Sequence, residues 1–268
     1  MLPRTRYVVE GPKSLPEMTW PEVAAARERT EIVLIGVGSC EAHGHHMPLG
    51  TDTIQGADGA RRIAARLEQE GILALPGPAI PFGVSDEYMS FPGTVTLRPS
   101  TLMAVLRDVC SSLARHGFRK IALLMPHDGN FGAMHAAAQG LTAEGIARVL
   151  VLNWLPVVRS HYPQILASKR PEGHGGEGET ARMLASQPEL VHLDRAVACH
   201  PERREPLPWD IPPYFGGAVF DAPVDFRAVA PPGSIGDPGL ATRETGEKLH
   251  AIITEWACDI IKRHFVKA

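Results

Sequence analysis

Three times along the chain an amphipathic run closes on a charged residue or histidine plus glycine and turns at once into an apolar stretch: LEQEGILALP, LARHGFRKIALLM and LTAEGIARVLVLNW. Glycine just past the last turn is the usual stop of a helix, and the runs that follow are rich in leucine and β-branched residues. The repeated unit is therefore helix, glycine, buried strand. Together with the apolar run at 32–37, this alternation predicts parallel strands joined by helices, which cover both faces of the sheet. The expected fold class is α/β, a three-layer α/β/α sandwich with a mostly parallel central sheet. A length of 268 residues fits one large α/β domain spanning 1–268. Helices are expected at about 54–70, 101–116, 131–144, 178–186 and 242–264, with Ser100 as N-cap of the second.

Composition narrows the function classes. Hydrophobic residues at 44% and charged residues at 21% describe a globular chain able to bury a core. The formal net charge of −3 carries no basic excess for neutralising phosphates, so nucleic acid is not an expected partner. No apolar run approaches a membrane span, and the opening MLPRTRYVVEGPKS lacks the apolar middle of a signal peptide; no membrane partner and a cytoplasmic location are the expectations. Cys40, Cys110, Cys199 and Cys258 form no CxxC pair and read as reduced thiols.

In open parallel sheets the ligand site forms where strands deliver the chain into loops at their carboxyl ends. The first such exit carries SCEAHGHHMPLGTD, the exit after 121–125 carries PHDGN, and the segment after 149–152 ends in EGHGGEGET. Glu41 and His43 are two residues apart, so in an extended segment they share a face. Asp52 follows the HMPLG turn and can supply a carboxylate bridging two ions, while His127 arrives from a different strand. Nitrogen and oxygen donors without thiolate suit zinc, manganese or iron in a site open to water. His45 and His46 are adjacent and point to opposite sides, so at most one could join the ligands, and positions behind the ligands or at the surface fit them better.

Other readings are weaker. GHGGEG at 173–178 satisfies GxGxxG, but no strand precedes it, as a dinucleotide fingerprint requires. Ser39 and Cys40 stand near histidines, yet no nucleophile elbow surrounds them. A metal-binding scaffold without activity is the non-catalytic alternative. Trp154, Trp209, Tyr214 and Phe215 offer flat apolar walls to a substrate or to the core. The proline-dense region between Cys199 and Gly239 reads as an irregular wrap over the site or a subunit contact.

GVGSCEAHGHHMPLGTD resembles the signature of the creatininase family of amidohydrolases, and FPGTVTL, HDGN, HGGEGETA and GDPGLATRETGEKL resemble its later blocks in the right order. The resemblance implies a three-layer α/β sandwich with two divalent metal ions: Glu41 and His127 on one, His43 on the other, and Asp52 between them. His174 falls on the family's catalytic histidine, with Glu177 as a further candidate for moving protons. Creatininase itself has a glutamate ligand two residues after the histidine corresponding to His127, where this chain has Gly129. Glu179, Glu177 or Asp128 must then substitute, and creatinine is put in doubt as substrate. Ser85 and Glu87 fall on the family's substrate side, and Asp128 and Trp154 join them as candidate substrate contacts. The implied activity is hydrolysis of a C–N bond in a small cyclic amide or formamide-like compound, with cleavage of a C–C bond in a cyclic ketone as the alternative. A homo-oligomer, frequently a hexamer, is the implied assembly.

Overall fold

Four parallel strands, β1 (Ile32–Gly36), β2 (Leu75–Pro76), β3 (Lys120–Met125) and β4 (Arg148–Asn153), form one sheet in the order β2-β1-β3-β4. The computed structural model describes residues 11–202 and 225–266. Around the sheet lie α1 (Trp20–Arg27), α2 (Thr51–Gln69), α3 (Pro99–Arg115), α4 (Phe131–Ala143), α5 (Leu155–Ile165), α6 (Glu177–Ser186), α7 (Phe226–Val229) and α8 (Arg243–Ile261).

The layering follows from the two-residue period of a strand. Ile32 and Leu34 of β1, Ala122 and Leu124 of β3 and Leu152 of β4 face a core built with Ile63 and Leu67 of α2, Val158 of α5 and Leu249 and Ile253 of α8. Val33 and Ile35, with Ile121, Leu123 and Met125, face the opposite core with Leu102 and Leu106 of α3 and Met134 and Leu141 of α4. Both faces are covered, so β1 is buried throughout and reads as a continuous apolar run. Cys110 and Cys258 are buried within these cores, and all four cysteines are free thiols. No described helix is long and apolar enough to cross a membrane.

The five expected helices are present with ends shifted by at most three residues. Ser100 is not the N-cap of α3: Arg98 caps it and Pro99 occupies the first helical position, where a proline loses no hydrogen bond and already has a helical φ. The helix α5 was hidden by Pro156 and Pro163; the first falls in the opening turn and the second near the end. β2 is only two residues long because Pro76 has no N–H to continue the ladder. Part of the expected irregular wrap, with Trp209, Tyr214 and Phe215, lies outside the described residues.

The strand order reverses direction beside β1, which pairs with β2 on one side and β3 on the other. Crossovers leave to opposite sides there, and a crevice opens at the strands' carboxyl ends. Asn130 clamps it: its amide donates to the Val37 and Gly38 carbonyls at 3.0 Å each, and its oxygen accepts from the Val84 N–H at 3.0 Å.

Candidate metal centre

The exits of β1 and β3 and the first turns of α2 and α6 converge on this crevice. Glu41 and His43 come from the β1 exit, Asp52 from the opening turn of α2, His127 from the β3 exit and Glu179 from the opening turn of α6. All five are buried. A helix start favours a carboxylate, because its unpaired N–H groups carry partial positive charge.

Their donor atoms form two sets that share Asp52: Glu41, Asp52 and His127, and His43, Asp52 and Glu179, each drawn within 4.8 Å. The two oxygens of Asp52 point different ways. Oδ1 lies 3.5 Å from His43 Nε2 and Oδ2 lies 3.4 Å from His127 Nδ1. The Ser39 hydroxyl donates to Oδ2 at 2.7 Å and holds the carboxylate in this attitude. Ser39 therefore serves to orient Asp52.

Backbone carbonyls decide which ring nitrogens are free. His43 Nδ1 lies 3.1 Å from the Glu41 carbonyl, His127 Nε2 lies 2.7 Å from the Val84 carbonyl, and His174 Nε2 lies 2.6 Å from the Ala42 carbonyl. A carbonyl only accepts, so each of these nitrogens carries a hydrogen, and in the neutral ring that an ion requires the other nitrogen presents a lone pair. Those lone pairs, on His43 Nε2, His127 Nδ1 and His174 Nδ1, face the carboxylates. Buried Glu41 Oε1 and His43 Nε2 are satisfied by no hydrogen bond of proper geometry, which would be costly unless a cation fills the space between them. The donor set fits two divalent ions.

Of the three carboxylates that might substitute at the second ion, only Glu179 joins a set. Its Oε2 is 3.8 Å from His43 Nε2 and accepts the Gly175 N–H at 2.8 Å. Gly175 stands at φ 61° to make that turn, and a Cβ there would meet Ser234 Cβ at 2.8 Å. Glu177 is fully buried, and both oxygens accept from the backbone N–H groups of Ala167 and Ser168 at 2.8 and 2.7 Å, which ties down the loop at 167–168. Asp128 turns outward to Arg159 at 2.8 Å. At Gly129 the backbone leaves no space, since a Cβ would meet the Val84 carbonyl oxygen at 2.2 Å and His127 Nε2 at 2.5 Å.

The substrate side differs from expectation in two places. Ser85 is buried and donates to Glu41 Oε2 at 2.5 Å, so it orients that carboxylate. Trp154 is 2% exposed in the core, its ring in contact range of a Cβ at Gly59; it packs α2 against the sheet. Glu87 stays half-buried near the rim, with burial pushing its carboxyl above the usual range. His174, 15% exposed, closes the open side, its ring 4.2 Å from that of His43. Tyr88 and Phe226, which no spacing pattern singled out, flank it at 4.7 and 5.2 Å between ring centroids. His45 is exposed, and buried His46 reaches the Thr180 hydroxyl at 2.8 Å from Nε2.

Burial opposes charge on Glu41, His43, Asp52 and His127, yet the opposite charges around each outweigh it. Against its burial, His43 is raised to about 9 by Asp52, Glu179 and Glu41; His127 is likewise raised, by Glu41 and Asp52. Asp52 is held well below the usual carboxylate range by the two histidines. His174 is lowered by burial and then by the positive charge at His43, which keeps it neutral near pH 7. In the absence of ions His43 thus stabilises the fold below about 6.5, a contribution lost as pH rises through about 9. An ion needs that nitrogen unprotonated, so its affinity should climb about tenfold per pH unit below about 9. Calorimetric titration with Mn²⁺ at pH 6, 7 and 8 checks this; a flat affinity would mean that His43 is not a ligand.

A family model described as creatinine amidohydrolase matches residues 16–261. The creatinine amidohydrolase of Pseudomonas putida is 34% identical over 93% of this chain and 96% of its own length. The mycofactocin precursor peptide peptidase of Mycobacterium ulcerans is 31% identical over 87% and 81%. A solved structure described as "Creatininase Mn" superposes with a TM-score of 0.72 at 30% identity, covering 95% of this chain and all of that one.

Proposed function

The chain belongs to the creatininase family, and from that premise we propose that it is a metal-dependent amidohydrolase, cleaving a C–N bond of amide, cyclic amide or formamide type in a small molecule with water. The observation that carries the reading is Asp52, one oxygen turned to each of two donor sets. Glu41, Asp52 and His127 would hold one divalent ion and His43, Asp52 and Glu179 the other, as zinc, manganese or iron. When bound, such a pair lowers the pKa of water and polarises a carbonyl. The protein's own part is orientation and proton movement. Ser39 and Ser85 fix the two carboxylates, and the carbonyls of Glu41 and Val84 fix the ring faces. His174 Nδ1, lone pair inward and neutral, takes the proton from the attacking water and returns it to the departing nitrogen. Tyr88 and Phe226 wall the approach, and Glu87 stands where a substrate would enter.

Similarity to a creatinine amidohydrolase and to a peptide peptidase supports amide cleavage over the cyclic ketone alternative. Incubating Mn²⁺- or Zn²⁺-loaded protein with cyclic amides, formamides, short peptides and cyclic ketones tests it. Amine or ammonia release, abolished by chelation and restored by metal, is expected. Turnover confined to ketones, without amine release, would overturn the reading, and no turnover of any compound would leave the scaffold. Creatinine should be a poor substrate, turned over below about 1 per second, because Gly129 offers no carboxylate and no space for one. The same resemblance supports a single domain over 1–268 in a homo-oligomer, for which light scattering of the purified protein is the check on assembly, and the cytoplasm is the location proposed from the sequence pattern.

A further inference from the structure

The two donor sets differ in what stands behind them. Glu41 is backed by a neutral hydroxyl, that of Ser85. Glu179 is backed by Arg182, whose Nη2 lies 3.3 Å from Glu179 Oε1. Arg182 is 1% exposed, and a buried guanidinium persists only where its donors are matched. They are: Nε donates to Gln55 Oε1 at 2.7 Å, and Nη1 to the Tyr162 hydroxyl at 3.2 Å and the Gly178 carbonyl at 3.4 Å.

The spacing gives this arrangement its meaning. Glu179 and Arg182 are three apart on α6, and Asp52 and Gln55 are three apart on α2. Residues at that spacing lie on one face of a helix, one turn apart. The Arg182–Gln55 hydrogen bond therefore crosses between the two helices one turn deeper than the level at which Asp52 and Glu179 approach His43. It sets the distance between the two helix starts that deliver both carboxylates of one half-site. Among the described residues no corresponding strut touches Glu41 or His127, which are fixed from the strand exits through Ser85 and the Val84 carbonyl.

We propose that Arg182, anchored on Gln55, is a positioning residue that holds Glu179 for the second ion and so governs occupancy of that half-site alone. The inference rests on the two-ion reading.

The test is metal binding rather than turnover. Arg182→Met and, separately, Gln55→Leu are purified, loaded with Mn²⁺, and examined by elemental analysis and calorimetric titration, with thermal melting as the check on folding. Wild type should bind two equivalents. Both variants should keep one ion at wild-type affinity and weaken the other by about 10- to 100-fold, the usual effect of removing a group that orients a ligand. Should Arg182→Met not fold, Gln55→Leu decides, since it leaves the charge and removes only the anchor. Two steps unchanged in both folded variants would overturn the proposal, as would parallel weakening of both ions. Failure of wild type to bind two ions would instead overturn the two-ion reading itself.

Discussion

Asp52→Ala should bind neither ion and lose essentially all hydrolytic activity, whereas His43→Ala should lose one ion and keep the other. Asp52 is the only residue shared by the two donor sets, with an oxygen for each. Its removal takes a carboxylate from both ions at once and leaves Ser39, His43 and His127 facing an empty space in a buried site. Ions supply several kcal/mol of transition-state stabilisation, so the fall in turnover should be roughly 10³-fold or more. Elemental analysis decides the matter, with Asp52→Asn as the companion that preserves volume and an acceptor for the Ser39 hydroxyl. Two equivalents retained by Asp52→Ala would end the bridging assignment.

His174→Ala should separate binding from chemistry. Its ring stands at the open side of the centre, Nε2–H committed to the Ala42 carbonyl and Nδ1 3.8 Å from Glu41 Oε1. It also completes a third group of donors with Glu41 and His43, so a ligand role has a geometric basis and the variant must discriminate. We expect full metal content, an unchanged fold and a loss of turnover of about 10²- to 10⁴-fold, the usual contribution of a positioned acid or base. Metal lost in step with activity would make His174 a ligand. Metal and activity both retained would end the assignment of His174 as the proton carrier.

Much of the fold was legible because its signals are local. Glycine after a helix and an apolar run after the glycine are read within about a dozen residues, and they located the strands and the principal helices. What failed was also local: Pro156 and Pro163 disguised α5, and Ser100 looked like a cap where Pro99 already starts the helix. The candidate ligands Glu41, His43, Asp52 and His127 were legible because strand exits collect at one edge of a parallel sheet. Glu179 remained one of three options, since sequence spacing does not say which carboxylate of a glycine-rich loop turns inward.

By itself, then, the sequence determined the architecture, the edge at which chemistry-bearing residues gather and the kinds of donor present. Tertiary structure alone decided which of their atoms stay free, because that depends on which atom another segment occupies. Backbone N–H groups claim both oxygens of Glu177, Arg159 draws Asp128 away, and the core encloses Trp154, whereas Glu179 is held inward between the Gly175 N–H and Arg182. Ser39 and Ser85, unremarkable as letters, become the groups that orient Asp52 and Glu41. Partners such as Gln55 and Arg182, 127 residues apart, meet only once two helices have docked, and no periodicity along one chain records that meeting.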